Sequence, residues 1–167
     1  MSKNGEGGNV LLLVAHGLRE LDFPKLMEVY LEGNLEKTAE SSGLLEAEED
    51  FRQYLRDSFF AAPGAAYYVW VQGGRYVSAL RLEPYKDGLL LEALETAPDC
   101  RRMGHAGALL RAMLMAEGTR PIYSHIVKGN AASLRAHESC GFRRMLEYAV
   151  YIDGSVNDRA CTMILEA

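Results

Sequence analysis

At 167 residues, 49% hydrophobic and 25% charged, the chain fits one soluble domain that buries its own core without disulfides or a structural metal. A net charge of −5 argues against a nucleic-acid partner, which would show as a basic face. It is compatible with a cationic substrate, although solubility alone accounts for it.

Cys100, Cys140 and Cys161 form no C-x-x-C pair, and His16, His105, His125 and His137 stand singly, so no metal-ligand spacing appears. The apolar run 10–15 is shorter than a usual signal-peptide core, has only Lys3 as a basic side chain before it, and lacks a convincing cleavage site after it. No stretch approaches transmembrane length. These features predict a cytoplasmic protein with neither a membrane nor a nucleic acid as partner.

In chain order, residues 1–9 are polar and glycine-rich and read as a disordered leader, which leaves 10–167 as a single domain. A first strand is predicted over 10–16. Asp22 can N-cap a helix over 23–32, with Pro24 in its first turn and Leu26, Val29 and Tyr30 on its buried face. The segment 34–45 has weak periodicity and reads as a loop with frayed helix. From Glu46, apolar Ala47, Phe51, Tyr54, Leu55 and Phe59 recur at helical spacing until Pro63-Gly64.

Strands 66–72 and 75–82 follow, joined by Gly73-Gly74, whose freedom to take positive φ suits a tight hairpin. The turn Tyr85-Lys86-Asp87-Gly88 leads to an apolar strand over 89–96. Pro98 punctuates the next turn, and the loop 101–107 opens a helix with Ala106, Leu109, Leu110, Met113 and Leu114 at helical spacing. A strand over 121–127, a helix over 131–140 entered through Gly129-Asn130, one long strand over 142–152 and a last strand over 159–165 complete the chain. The order βααβββαβαββ implies an α/β (α+β mixed) domain: a central, mostly antiparallel mixed sheet of about seven strands with helices on both faces.

The stretch 89–114 carries the chemistry. A strand, a glycine-containing loop and a helix start turn unpaired backbone N–H groups toward one point, where the helix dipole also favours an anion. A P-loop would require Gly-Lys-Ser/Thr, which is absent, and a dinucleotide fingerprint would require G-x-G-x-x-G near the first strand. Arg101-Arg102-Met103-Gly104-His105-Ala106 instead resembles the R/Q-x-x-G-x-G/A signature of the GNAT superfamily of acetyl-CoA-dependent N-acetyltransferases. Downstream, Asn130-Ala131-Ala132-Ser133 and Glu138-Ser139-Cys140-Gly141-Phe142 resemble that family's N-x-x-S helix and its Y-E-x-x-G-F entry into the next strand. The likeness covers roughly 66–142.

The resemblance implies acetyl transfer from acetyl-CoA to a primary amine of a small molecule or peptide, by direct attack through a tetrahedral intermediate and without a metal. Backbone N–H groups of Arg102, Met103, Gly104, His105, Ala106 and Gly107 would hold the pyrophosphate, with Arg101 or Arg102 adding charge. Leu94, Glu95 and Thr96 would receive the pantetheine arm as an extra strand. Asn130, together with Ser133 in its motif, would approach the arm from the other side; Asn130 also reads as an N-cap.

An amine with a pKa of about 10 must lose a proton before it attacks. Glu92, through a water, is the expected base, with Glu95 the alternative. Simple alternation puts Glu92 on the side of Leu94 and Thr96, and a bulge would change that. A backbone N–H near Leu94 would stabilise the oxyanion. His137 stands where the family usually has a tyrosine acid; it reads either as an acid for the departing sulfur or as a packed side chain. A non-catalytic acyl-CoA-binding sensor or scaffold is the rival reading. The family's last two strands often pair between subunits, which leaves a homodimer open.

Overall fold

Gly73 and Gly74 take φ of 58° and 77°, the left-handed pair that matches a two-residue turn to the twist of its strands. They join β2 (Ala66–Gln72) to β3 (Arg75–Tyr85). In the computed structural model, which describes residues 8–33, 43–118 and 120–167, this hairpin forms the middle of one wall of a seven-stranded sheet. β1 (Val10–Ala15) pairs with β2, and β4 (Gly88–Thr96) with β3, both antiparallel. β5 (Ile122–Val127) runs parallel to β4, then the last strand, Ala160–Leu165, and β6 (Arg143–Leu146) follow antiparallel.

β3 runs three residues beyond the predicted end and includes Pro84. Its pairing with β2 stops at Leu82, so Pro84 has a neighbour only on the β4 side and its missing N–H leaves no ladder bond unmade. The long strand predicted over 142–152 is two elements. After β6 the chain leaves the main sheet, and β7 (Ala149–Val150) pairs with β8 (Val156–Asn157) in a separate hairpin. Tyr85 Oη donates to the Val150 carbonyl (2.5 Å) and Thr162 Oγ1 to that of Tyr148 (2.7 Å), anchors that draw this segment out of register. The sheet-long strand Ala160–Leu165 is β9.

Asp22 caps α1 (Phe23–Val29), its side chain accepting from the Lys25 N–H at 3.2 Å, a contact worth about 1 kcal/mol. α1 is shorter than expected because Tyr30 leaves helical geometry and its hydroxyl donates to the Ala93 carbonyl of β4 (2.8 Å). α2 (Leu44–Tyr54) widens into a π turn over Leu55–Phe59, which aims Leu55 and Phe59 into the core. α1 and α2 pack with Tyr67, Val69 and Ala79 on one face of the sheet. On the other, α3 (His105–Glu117) and α4 (Ala131–Ser139) cover Leu80, Leu91, Ile122 and Met163. The loop predicted over 34–45 falls mostly outside the described residues, as does most of the leader. No helix among the described residues is long and apolar enough to cross a membrane.

Candidate active site

β4 and β5 begin as parallel neighbours because Gly88 lets the Leu89 N–H reach the Pro121 carbonyl at 3.0 Å. A Cβ at Gly88 would stand 1.9 Å from that oxygen. The pairing runs Leu89↔Ile122, Leu90↔Tyr123, Leu91↔Ser124 and there it stops. Beyond Leu91 the edge of β4 that faced β5 has no strand beside it, while its other edge stays paired to β3. The result is a wedge between two parallel strands with open backbone groups along one side.

The same stretch of β4 is bulged. Ala79 pairs with Glu95 and Arg81 with Glu92, so three steps on β4 oppose two on β3, and Ala93 takes φ of 52°. This corrects the alternation expected above: the extra residue puts Glu92 and Glu95 together on the α1/α2 face, whereas Leu94 and Thr96 turn to the α3/α4 face. Leu94 packs there against the core beneath α3, and Thr96 Oγ1 lies 3.1 Å from Ser78 Oγ.

At the end of β4 lies a cleft of about 710 Å³ lined by Leu94, Glu95, Thr96, Arg101, Arg102, Gly104, His105, Ala106 and Gly107, and across it by Asn130 and Ser133. All are residues expected from the sequence. Gly104 takes φ of 81° and caps α3 without a side chain, leaving the first-turn N–H groups of His105, Ala106 and Gly107 unscreened. Asn130 caps α4 by accepting from the Ser133 N–H (3.1 Å) while also lining the cleft. Two helix N-termini therefore face one space, and both favour an anion.

Arg101 is committed elsewhere. It forms ion pairs with Glu32 and with Glu95 (3.6 Å), and Nε donates to the Thr96 carbonyl (3.3 Å), tying β4 to the segment that follows α1. Met103 is 66% exposed and does not line the cleft. Sequence reasoning missed Arg111, Cys100, Ala132, Ala136 and Ser139 in the lining. Arg111 was within reach of it, since it stands one helical turn after Gly107 and so shares its face.

Glu92 is largely buried on the far face, with Arg81 Nε 4.0 Å from its Oε2. Burial, with Glu83 beside it, pushes its carboxyl up to about 7 against the opposing pull of Arg81. No hydrogen bond reaches Glu92 Oε2. A carboxylate there would take a proton readily at neutral pH.

His137 is placed differently from an acid aimed at the cleft. The ring is 1% exposed, packs edge-on against Phe142 and is absent from the lining. Nδ1 lies 2.8 Å from the Ser133 carbonyl, which only accepts, so Nδ1 carries the proton. Nε2, 3.0 Å from Ser124 Oγ, is then the acceptor. Burial lowers its pKa further. Ser124 was not singled out in the sequence, and no motif marks it.

A family model described as the acetyltransferase (GNAT) family matches residues 27–142. A search of curated proteins finds no match. Among solved structures, the chain is similar to the ribosomal-protein-S18-alanine N-acetyltransferase of Escherichia coli (18% identity, 93% of each chain covered, TM-score 0.60). It is also similar to PH1933 of Pyrococcus horikoshii (16% identity, 94% and 99% covered, TM-score 0.67). A third is the PaiA N-acetyltransferase of Thermoplasma acidophilum, solved in complex with coenzyme A (11% identity, 94% and 99% covered, TM-score 0.61). At these identities the neighbours speak for the fold, and the family match, spanning more than half of the sequence, carries the assignment: the chain belongs to the GNAT acetyltransferase family.

Proposed function

We propose that this enzyme transfers an acetyl group from acetyl-CoA to a primary amine of a small molecule or peptide, using the wedge between β4 and β5. The observation that carries this reading is the wedge itself. Parallel pairing ends at Leu91/Ser124 directly beside the N-termini of α3 and α4. Such a site offers an extended edge for a polyamide arm and converging N–H groups for a pyrophosphate.

Acetyl-CoA supplies the activated thioester. The first turn of α3 holds its pyrophosphate through the N–H groups of His105, Ala106 and Gly107, with Arg102 and Arg111 as the charged side chains at hand. The free edge of Glu92–Thr96 orients the arm. The bulge interrupts the ladder at Ala93–Leu94, and in this reading the Leu94 N–H donates to the charge that develops on the carbonyl oxygen. Glu92, on the opposite face, takes the amine proton through a water. The N–C bond forms, the C–S bond breaks, and the sulfur leaves as thiolate. A thiol with a pKa of about 8.5 can do so near neutrality without an acid, which fits a buried His137.

The test is release of free thiol from acetyl-CoA in the presence of primary amines, with CoA affinity measured in parallel. Amine-dependent release with stoichiometric acetylated product is the expected result. Tight CoA binding with no turnover of any amine would favour a sensor or scaffold and overturn the reading.

A further inference from the structure

Among the described residues, three buried side-chain polar atoms have no hydrogen-bond partner: Arg81 Nε, Glu92 Oε2 and His125 Nε2. Two of them lie together. Arg81 on β3 pairs in register with Glu92 on β4. A cation and a carboxylate thus face each other across two neighbouring strands, on the side of the wedge away from α3. His125 stands apart from that pair, its ring edge-on against Tyr85 and Tyr151.

Buried polar groups in folded proteins are overwhelmingly hydrogen-bonded, and each exception calls for a cause. Arg81 is the most telling. Its guanidinium is wedged among the rings of Tyr54, Phe59 and Phe51 at 5.1, 5.5 and 5.8 Å. Its ion-pair partner among the described residues, Glu92, lies at 4.0 Å, beyond hydrogen-bond distance. A guanidinium fixed by aromatic faces, with its Nε unpaired, matches a carboxylate in shape and charge, because its parallel donors bind two oxygens at once.

We propose that Arg81 and Glu92 form the acceptor subsite and that the acceptor is an α-amino acid, its carboxylate held by Arg81 and its amine by Glu92. This rests on the acetyl-transfer reading above. The short spacing of Arg81 and Glu92 suits an amine and a carboxylate on the same carbon. A polyamine or aminoglycoside would place a further cation against Arg81, and a peptide N-terminus brings a neutral amide where the carboxylate belongs.

The experiment is calorimetric titration of the full chain, saturated with CoA, by free amino acids, by their primary amides and by the matching decarboxylated amines. At least one amino acid is expected to bind about tenfold or more tightly than its own amide and amine. Arg81→Lys and Arg81→Gln should abolish that preference while CoA affinity, which reports folding, stays unchanged. Binding of no amino acid, or equal binding of acid and amide by the wild-type chain, overturns the proposal even if a variant fails to fold. Preferential amino-acid binding without turnover would contradict acetyl transfer and leave the subsite standing. Acetylation that is indifferent to the carboxylate would do the reverse.

Discussion

His137 shows how a residue's neighbours decide its chemistry. With Nδ1 engaged by the Ser133 carbonyl and Nε2 by Ser124, the imidazole links α4 to β5 beneath the wedge. Its substitution should therefore cost stability rather than rate. For His137→Gln we expect a loss of about 1–3 kcal/mol from the unpaired Ser124 and Ser133 groups, read as a drop of several degrees in Tm, with kcat per folded molecule within about twofold of wild type. The pH dependence has a definite sign. Burial lowers the folded-state pKa of His137, so its stabilising contribution is complete above the unfolded value of about 6.5 and declines as pH falls. The variant should lose that component of the acid-side decline in Tm. A kcat loss of about tenfold or more in properly folded His137→Gln would restore the acid role.

At the scale of elements, the site is made by two irregularities in β4. One is its parallel start, which depends on Gly88. A Cβ placed 1.9 Å from the Pro121 oxygen must push β4 and β5 apart. Gly88→Ala is expected to destabilise the fold by about 2–4 kcal/mol, measured by denaturant unfolding; a midpoint equal to wild type would show that the strands can shift freely. The other is the bulge at Ala93, braced by the hydroxyl of Tyr30, which itself accepts from Tyr67 at 2.7 Å. Neither was legible in the sequence. Gly88 read as a turn residue, and Ala93, neither glycine nor asparagine, gives no local sign of positive φ. The bulge depends on Tyr30 arriving from α1, a tertiary contact that periodicity does not encode.

Across the whole molecule, what was legible is what local chemistry dictates. Gly73-Gly74 marks the hairpin, Asp22 and Asn130 mark helix starts, and the apolar spacing in α3 marks its buried face. These placed the sheet of about seven strands and its two helical layers, while the residues lining the cleft came from the likeness of 101–106 and 130–142 to the family's motifs. Arg81 stayed hidden because it sits within an ordinary strand pattern, and only the assembled sheet aligns it with Glu92. Glu92 itself was singled out, although the route to it assumed an unbroken strand. Its setting now defines the central claim.

Arg81, Glu83 and Tyr54 surround Glu92 from β3 and α2, and burial raises its carboxyl to about 7. A base must be ionised to act, so kcat/KM should fall on the acid side with a midpoint near 7. The decisive measurement is the pH profile of amine acetylation, from about pH 6 to 9, for wild type and Glu92→Gln. The account predicts that the variant loses about 100-fold or more at pH 7, lacks the limb near 7 and recovers part of its rate as the free amine fraction rises. Superimposable profiles for the two proteins would contradict it.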